Sequence, residues 1–156
     1  MVNDGHAFKL FFTEGKENMN TQDLSGRPKT SRRTNKAIAE LRHRYAFGET
    51  INSATRTPEG KSKYGSGLIS KFASGDGSSN SYAYDSRQLA SAYTPKQLEE
   101  AIDVCKRYDA AMGPSHHIEL MRVRDCELRD QLGSNAAREK WSVKRLKKEI
   151  KKAVAK

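Results

Sequence analysis

The sequence predicts an all-α fold, a small multi-helix domain with a disordered N-terminal arm, and three observations lead there. Apolar residues recur at helical spacing, as in Leu98, Ala101, Ile102 and Cys105, and again in Val143, Leu146, Ile150 and Val154. Helix-start signals stand ahead of these runs, with Ser, Thr or Asp at the cap and proline at the first helical position. Finally, 156 residues of which 35% are hydrophobic and 31% charged suit one domain of ordinary size plus unpacked tails.

Residues 1–33 carry no sustained periodicity. Gly15, Asn18, Asn20, Ser25, Gly26 and Pro28 mark them as a leader, in which Met19 offers a second start. The apolar cluster Phe8, Leu10, Phe11 and Phe12 is too short and too poorly flanked for a secretory signal, and no run approaches the ~18 apolar residues of a membrane span. The expectation is a soluble, cytoplasmic protein without membrane association. The helical domain is expected over 34–156. Thr34 or Asn35 is placed to cap a first helix bearing Ala37, Ile38, Leu41, Tyr45 and Phe47, with Gly48 as its stop. Residues 51–63 read as a loop or frayed helix end, Gly67 to Ala73 as a short helix, and Ser74 to Ser81 as a polar loop.

Asp85 is placed to cap a helix through Leu89, Ala90 and Tyr93. The clearest start is Thr94-Pro95-Lys96-Gln97, which sets an N-cap, a first-turn proline and a third-position glutamine in the capping-box pattern. The helix behind it presents Leu98, Ala101, Ile102, Cys105, Tyr108 and Met112 on one face and stops at Gly113. Pro114 opens the next helix, Asp125 caps another, and Gly133, Ser134 and Asn135 suggest a break within that one. Ser142 caps the last helix. Cys105 and Cys126 both fall on apolar faces, which predicts two buried thiols and no disulfide.

The run Ser115-His116, Leu120, Asp125, Arg129, Ala136 or Ala137, then Trp141-Ser142-Val143-x-x-Leu146-x-x-x-Ile150, resembles the helical N-terminal domain of bacterial YhcG-type nucleases. Tyr64-Gly65, Leu68-Ile69 and the Ser86 to Leu89 step before Tyr93 extend the resemblance over Tyr64 to Ile150. Pro114 and Leu132 depart from it, each standing where that family has an aromatic residue. The resemblance implies a winged-helix-like or helix-turn-helix DNA-binding module joined to a PD-(D/E)xK nuclease domain. Only Lys151 to Lys156 follow Ile150, so the nuclease domain is not expected in this sequence.

From the residues themselves, the segments 94–112 and 115–123 have the proportions of a helix-turn-helix, whose second helix would enter a major groove. On that reading Ser115, His116, His117 and Glu119 lead toward base edges, Arg122 and Arg124 reach a phosphate or a guanine, and Ile118 and Met121 pack inward. His116 has an alternative role inside the turn, and His117 is the more exposed of the pair. Charge points the same way. The total is +10, yet residues 27–44 hold seven Lys or Arg against Glu40 alone, and residues 138–156 hold nine against Glu139 and Glu149. Arg32 and Arg33 at one end, and Lys144, Arg145, Lys147, Lys148 and Lys151 at the other, are therefore the candidate phosphate contacts. If about six such charges meet phosphates, the log–log salt slope should lie near −5. The alternative is a solvated lysine face. Trp141 is read as an anchor for the last helix, with base stacking as its alternative.

Enzymatic chemistry is not expected. Glu59-Gly60-Lys61 and Glu149-Ile150-Lys151 spell E-x-K without an accompanying Pro-Asp, and Gly75-x-Gly77 lacks the Lys-Ser/Thr of a phosphate loop. His116 and His117 point about 100° apart on a helix, and no Cys pair completes a zinc set, so neither a metal nor another cofactor is expected. The sequence thus suggests a binder of double-stranded DNA, with a homodimer or a separate nuclease as further partners. A protein-docking accessory module and an RNA binder are the alternatives.

Overall fold

The computed structural model describes residues 29–55 and 67–155. These form seven helices, with no strand among the described residues: α1 (Arg32–Thr55), α2 (Leu68–Asp76), α3 (Asn80–Ala92), α4 (Pro95–Arg107), α5 (Pro114–Leu120), α6 (Cys126–Arg138) and α7 (Val143–Val154). The fold is all-α. None of these helices is long and apolar enough to cross a membrane. The apolar cluster at Phe8 to Phe12, the E-x-K at Glu59 and most of the N-terminal leader lie outside the described residues.

α1 is capped at Ser31, three residues ahead of Thr34, the nearer of the two expected caps. The Ser31 hydroxyl accepts from the Thr34 N–H at 3.2 Å, and the Asp109 carboxylate accepts from the Ser31 N–H at 2.8 Å. Arg32 and Arg33 therefore belong to a helix and not to the expected arm. α1 also runs through Gly48, which is no stop. A Cβ at Gly48 would lie 1.9 Å from the Ser86 carbonyl oxygen of α3, so this glycine is where two backbones cross in contact. The buried Ser86 donates to its own helix, at the Tyr82 carbonyl (2.7 Å), and so presents no unpaired hydroxyl there.

The loop expected over Ser74 to Ser81 shrinks to Gly77, Ser78 and Ser79. α2 extends to Asp76 and ends on Gly77 in the left-handed region (φ 69°), and Ser79 caps α3 by accepting from the Tyr82 N–H. Asp85, expected at a cap, instead sits inside α3 and pairs with Arg44 of α1 at 3.8 Å. α4 carries the capping box in full: Thr94 accepts from the Gln97 N–H, and the Gln97 side chain accepts from the Thr94 N–H. It ends at Arg107, short of Met112. Asp109 turns the chain at φ 45°, and Ala110 and Met112 then plug the core from a non-helical connector.

α5 is a seven-residue hub packed against α1, α3, α6 and α7, whereas α4 lies on α1 and α6. α4 and α5 do not pack on one another, so the two-helix unit expected from 94–123 does not form from that pair. α6 is continuous through Gly133, Ser134 and Asn135, because Gly133 seats against Leu120 of α5 and needs no break. The main core joins Leu41, Tyr45, Leu89, Ile102, Leu120, Val123, Trp141 and Leu146, while Ile51, Ala73 and Ala83 form a second cluster beneath α2. Of the two free thiols, Cys105 is buried as expected and Cys126 is exposed, since it occupies the first turn of α6 beyond the core contact.

Candidate nucleic-acid interface

The last helix is the most strongly two-faced element of the chain. Leu146 and Ile150 are buried, whereas Lys144, Arg145, Lys147, Lys148, Lys151 and Lys152 are exposed. Three local features fix its start. Ser142 caps it by accepting from the Arg145 N–H. Trp141, 9% exposed, roots it in the core. The turn before it passes through Lys140 at φ 52°, a left-handed residue that sequence reasoning did not single out. α6, the four-residue turn 139–142 and α7 are thus two packed helices joined tightly.

Glu139 organises this turn. One of its carboxylate oxygens accepts from the Trp141 indole N–H (2.9 Å) and from the Arg145 guanidinium, whose carbon lies 4.8 Å from the centre of the Trp141 ring. Hydrogen bonding from Trp141, followed by the charges of Arg145 and Arg138, holds its carboxyl below the usual carboxylate range. On α5, the half-buried His116 donates from Nε2 to the Trp141 carbonyl at 3.0 Å. It thereby pins the turn and is not aimed outward, and burial pushes its pKa down. Trp141 anchors α7 and offers no open ring face for a base.

Several expected contacts move inside. His117, expected at the surface, is 2% exposed; its Nδ1 lies 3.5 Å from the Tyr93 hydroxyl, and its ring meets the Tyr93 ring edge-on. Nε2 has no hydrogen-bond partner among the described residues, and burial drives the pKa down to about 4. Glu119 likewise leaves the expected surface. With its side chain 9% exposed, it accepts Arg122 at 2.9 Å and Lys147 at 3.2 Å, tying α5 to α7. The reason is register. α5 buries Pro114, His117 and Leu120, which rotates Ile118 to a half-buried flank and leaves Ser115 outside.

Ser115, Arg122 and Arg124 remain exposed, with Arg122 engaged by Glu119. Arg32 and Arg33 are exposed in the first turn of α1. Asp109 holds that turn by accepting from the Ser31 N–H at 2.8 Å. Its carboxyl is lowered first by the Ser31 N–H and Thr34 hydroxyl bonds and also by the charge of Lys140. This carboxylate was visible in the sequence, but nothing local marked it as an anchor for the start of α1. Among the described residues, no group of three His, Cys, Asp or Glu is arranged to hold a metal ion. Comparison with known protein families, characterised proteins and solved structures finds no match for this chain.

Proposed function

We propose that this chain is a DNA-binding module that grips the phosphates of a duplex with the outer face of α7. The carrying observation is the charge on that face: six exposed Lys or Arg within twelve residues, against Glu149 as the helix's sole acid. A surface of this kind releases counterions when it meets a polyanion, which drives association whatever the base sequence. α6 and α7, joined through the Lys140 turn, take the helix-turn-helix role expected from 94–123, with α7 as the groove-facing helix. Arg32 and Arg33 add positive charge from the first turn of α1, which Asp109 anchors. The sequence resemblance to the helical N-terminal domain of YhcG-type nucleases implies the same ligand.

The test is a competition for the full chain between duplex DNA, single-stranded DNA and RNA at near-physiological ionic strength, followed by duplex titrations across salt. Preferred duplex binding whose log association constant falls linearly with log salt supports the reading. A preference for RNA moves the function to that polymer. Absence of salt-dependent binding to any of the three overturns it and leaves the lysines as a solvated face on a protein-docking module.

A further inference from the structure

The six cations of α7 are not equivalent, and the carboxylates around them divide the set. Arg145 is held by Glu139 and lies over the Trp141 ring. Lys152 pairs with Glu149 at 2.8 Å, and Lys147 with the nearly buried Glu119 at 3.2 Å. Lys144, Lys148 and Lys151 make no ion pair with a described residue. At about 100° per residue these three fall within roughly 60° of each other around the axis, and along it they span about 10 Å. Leu146 and Ile150 lie roughly opposite, on the side that meets the core.

We propose that Lys144, Lys148 and Lys151 form the phosphate-contacting stripe of α7, whereas Arg145, Lys147 and Lys152 serve to hold the turn and the helix in place. This rests on the DNA-binding reading and narrows it. A paired cation that turned to a phosphate would leave its carboxylate facing the same polyanion, so the attraction gained would be offset by repulsion close by. For Lys147 the abandoned partner would be a desolvated Glu119, which makes the exchange costlier still. An unpaired lysine has no such opposing term and releases a condensed counterion for each phosphate it meets.

Two variants of the full chain separate the sets. One is Lys144→Gln, Lys148→Gln and Lys151→Gln. The other removes two whole pairs, Glu139→Gln with Arg145→Gln and Glu149→Gln with Lys152→Gln, and so leaves net charge unchanged. Both are checked for native helix content and melting temperature. The stripe variant is expected to flatten the log–log salt slope for duplex DNA by about 3, and the pair variant to keep the wild-type slope within about half a unit. Equal flattening by both, or a stripe variant with the wild-type slope, overturns the division while the DNA-binding reading survives. A wild-type chain showing no salt-dependent binding removes both. If the pair variant melts early, removing the second pair alone, Glu149→Gln with Lys152→Gln, leaves the Glu139 turn intact and must bind with the wild-type slope.

Discussion

Gly48→Ala isolates the crossing of α1 and α3. In an exposed helix interior the change would stabilise by about 1 kcal/mol, because alanine restricts the unfolded chain and favours the helix. Here the new methyl would stand 1.9 Å from the Ser86 carbonyl oxygen and 2.9 Å from the Ala90 Cβ. The oxygen belongs to backbone, so no rotamer change removes the clash. To restore even a tight contact the helices must part by about 1 Å, and overpacking on that scale costs about 1–3 kcal/mol or somewhat more. The separation also loosens Leu41 and Tyr45 against Leu89 and Ala90 in the main core. Net destabilisation of about 2 kcal/mol is expected, which for a domain of this size lowers Tm by roughly 5–10 °C. Thermal and urea unfolding followed by helical circular dichroism measure it. Gly75→Ala is the control, since a Cβ there meets nothing within 4 Å. A Gly48→Ala protein as stable as wild type would refute the close crossing.

Other outcomes follow from the same structure. His117, driven from 6.5 to about 4 by burial, binds its proton more weakly folded than unfolded. Its contribution to stability is therefore full above pH 6.5 and falls between 6.5 and 4, by about 3 kcal/mol in total. Urea midpoints across that window should fall less steeply for His117→Leu than for wild type, and parallel profiles would contradict its burial as a neutral ring. Cys126 should react with a thiol reagent in the native state whereas Cys105, whose pKa burial raises to about 11, stays silent until unfolding; equal rates would show that the core is open at α4. Glu119→Gln should cost about 1 kcal/mol in thermal stability, because Arg122 and Lys147 stay hydrated when released; a loss several times larger would mean the carboxylate holds more than these two cations.

What the sequence made legible was local. Thr94 with Gln97, Asp125 and Ser142 act within one turn of themselves, so type and spacing were enough to place three helix starts. The two-faced character of α7 was equally plain, because Leu146 and Ile150 repeat against a nearly unbroken basic face. What escaped depends on partners remote in the chain. Gly48 carries the signature of a stop, and only the backbone at Ser86 reveals it as a crossing point. Gly133 looked like a break until Leu120 supplied its neighbour. On α5, seven residues give too little periodicity to fix which side is dry, so the sequence does not reveal that His117 is buried and Ile118 only half-buried. The site was legible as a set of cations but not as a division among them, since Glu119 and Glu139 act across elements or around a turn.

Seven residues make fewer than two full helical turns, and an isolated segment of that length does not hold helical shape in water. Since α5 touches four other helices, its order is lent by all of them at once, and it returns the loan by anchoring the Trp141 turn through His116 and α7 through Glu119. The N-terminal and C-terminal portions of the domain are for that reason coupled through one short keystone. Cutting the chain ahead of residue 143 would strip α5 of a wall and disturb α1 and α3 at the far end, so the proposed gripping surface and the body that supports it should melt together.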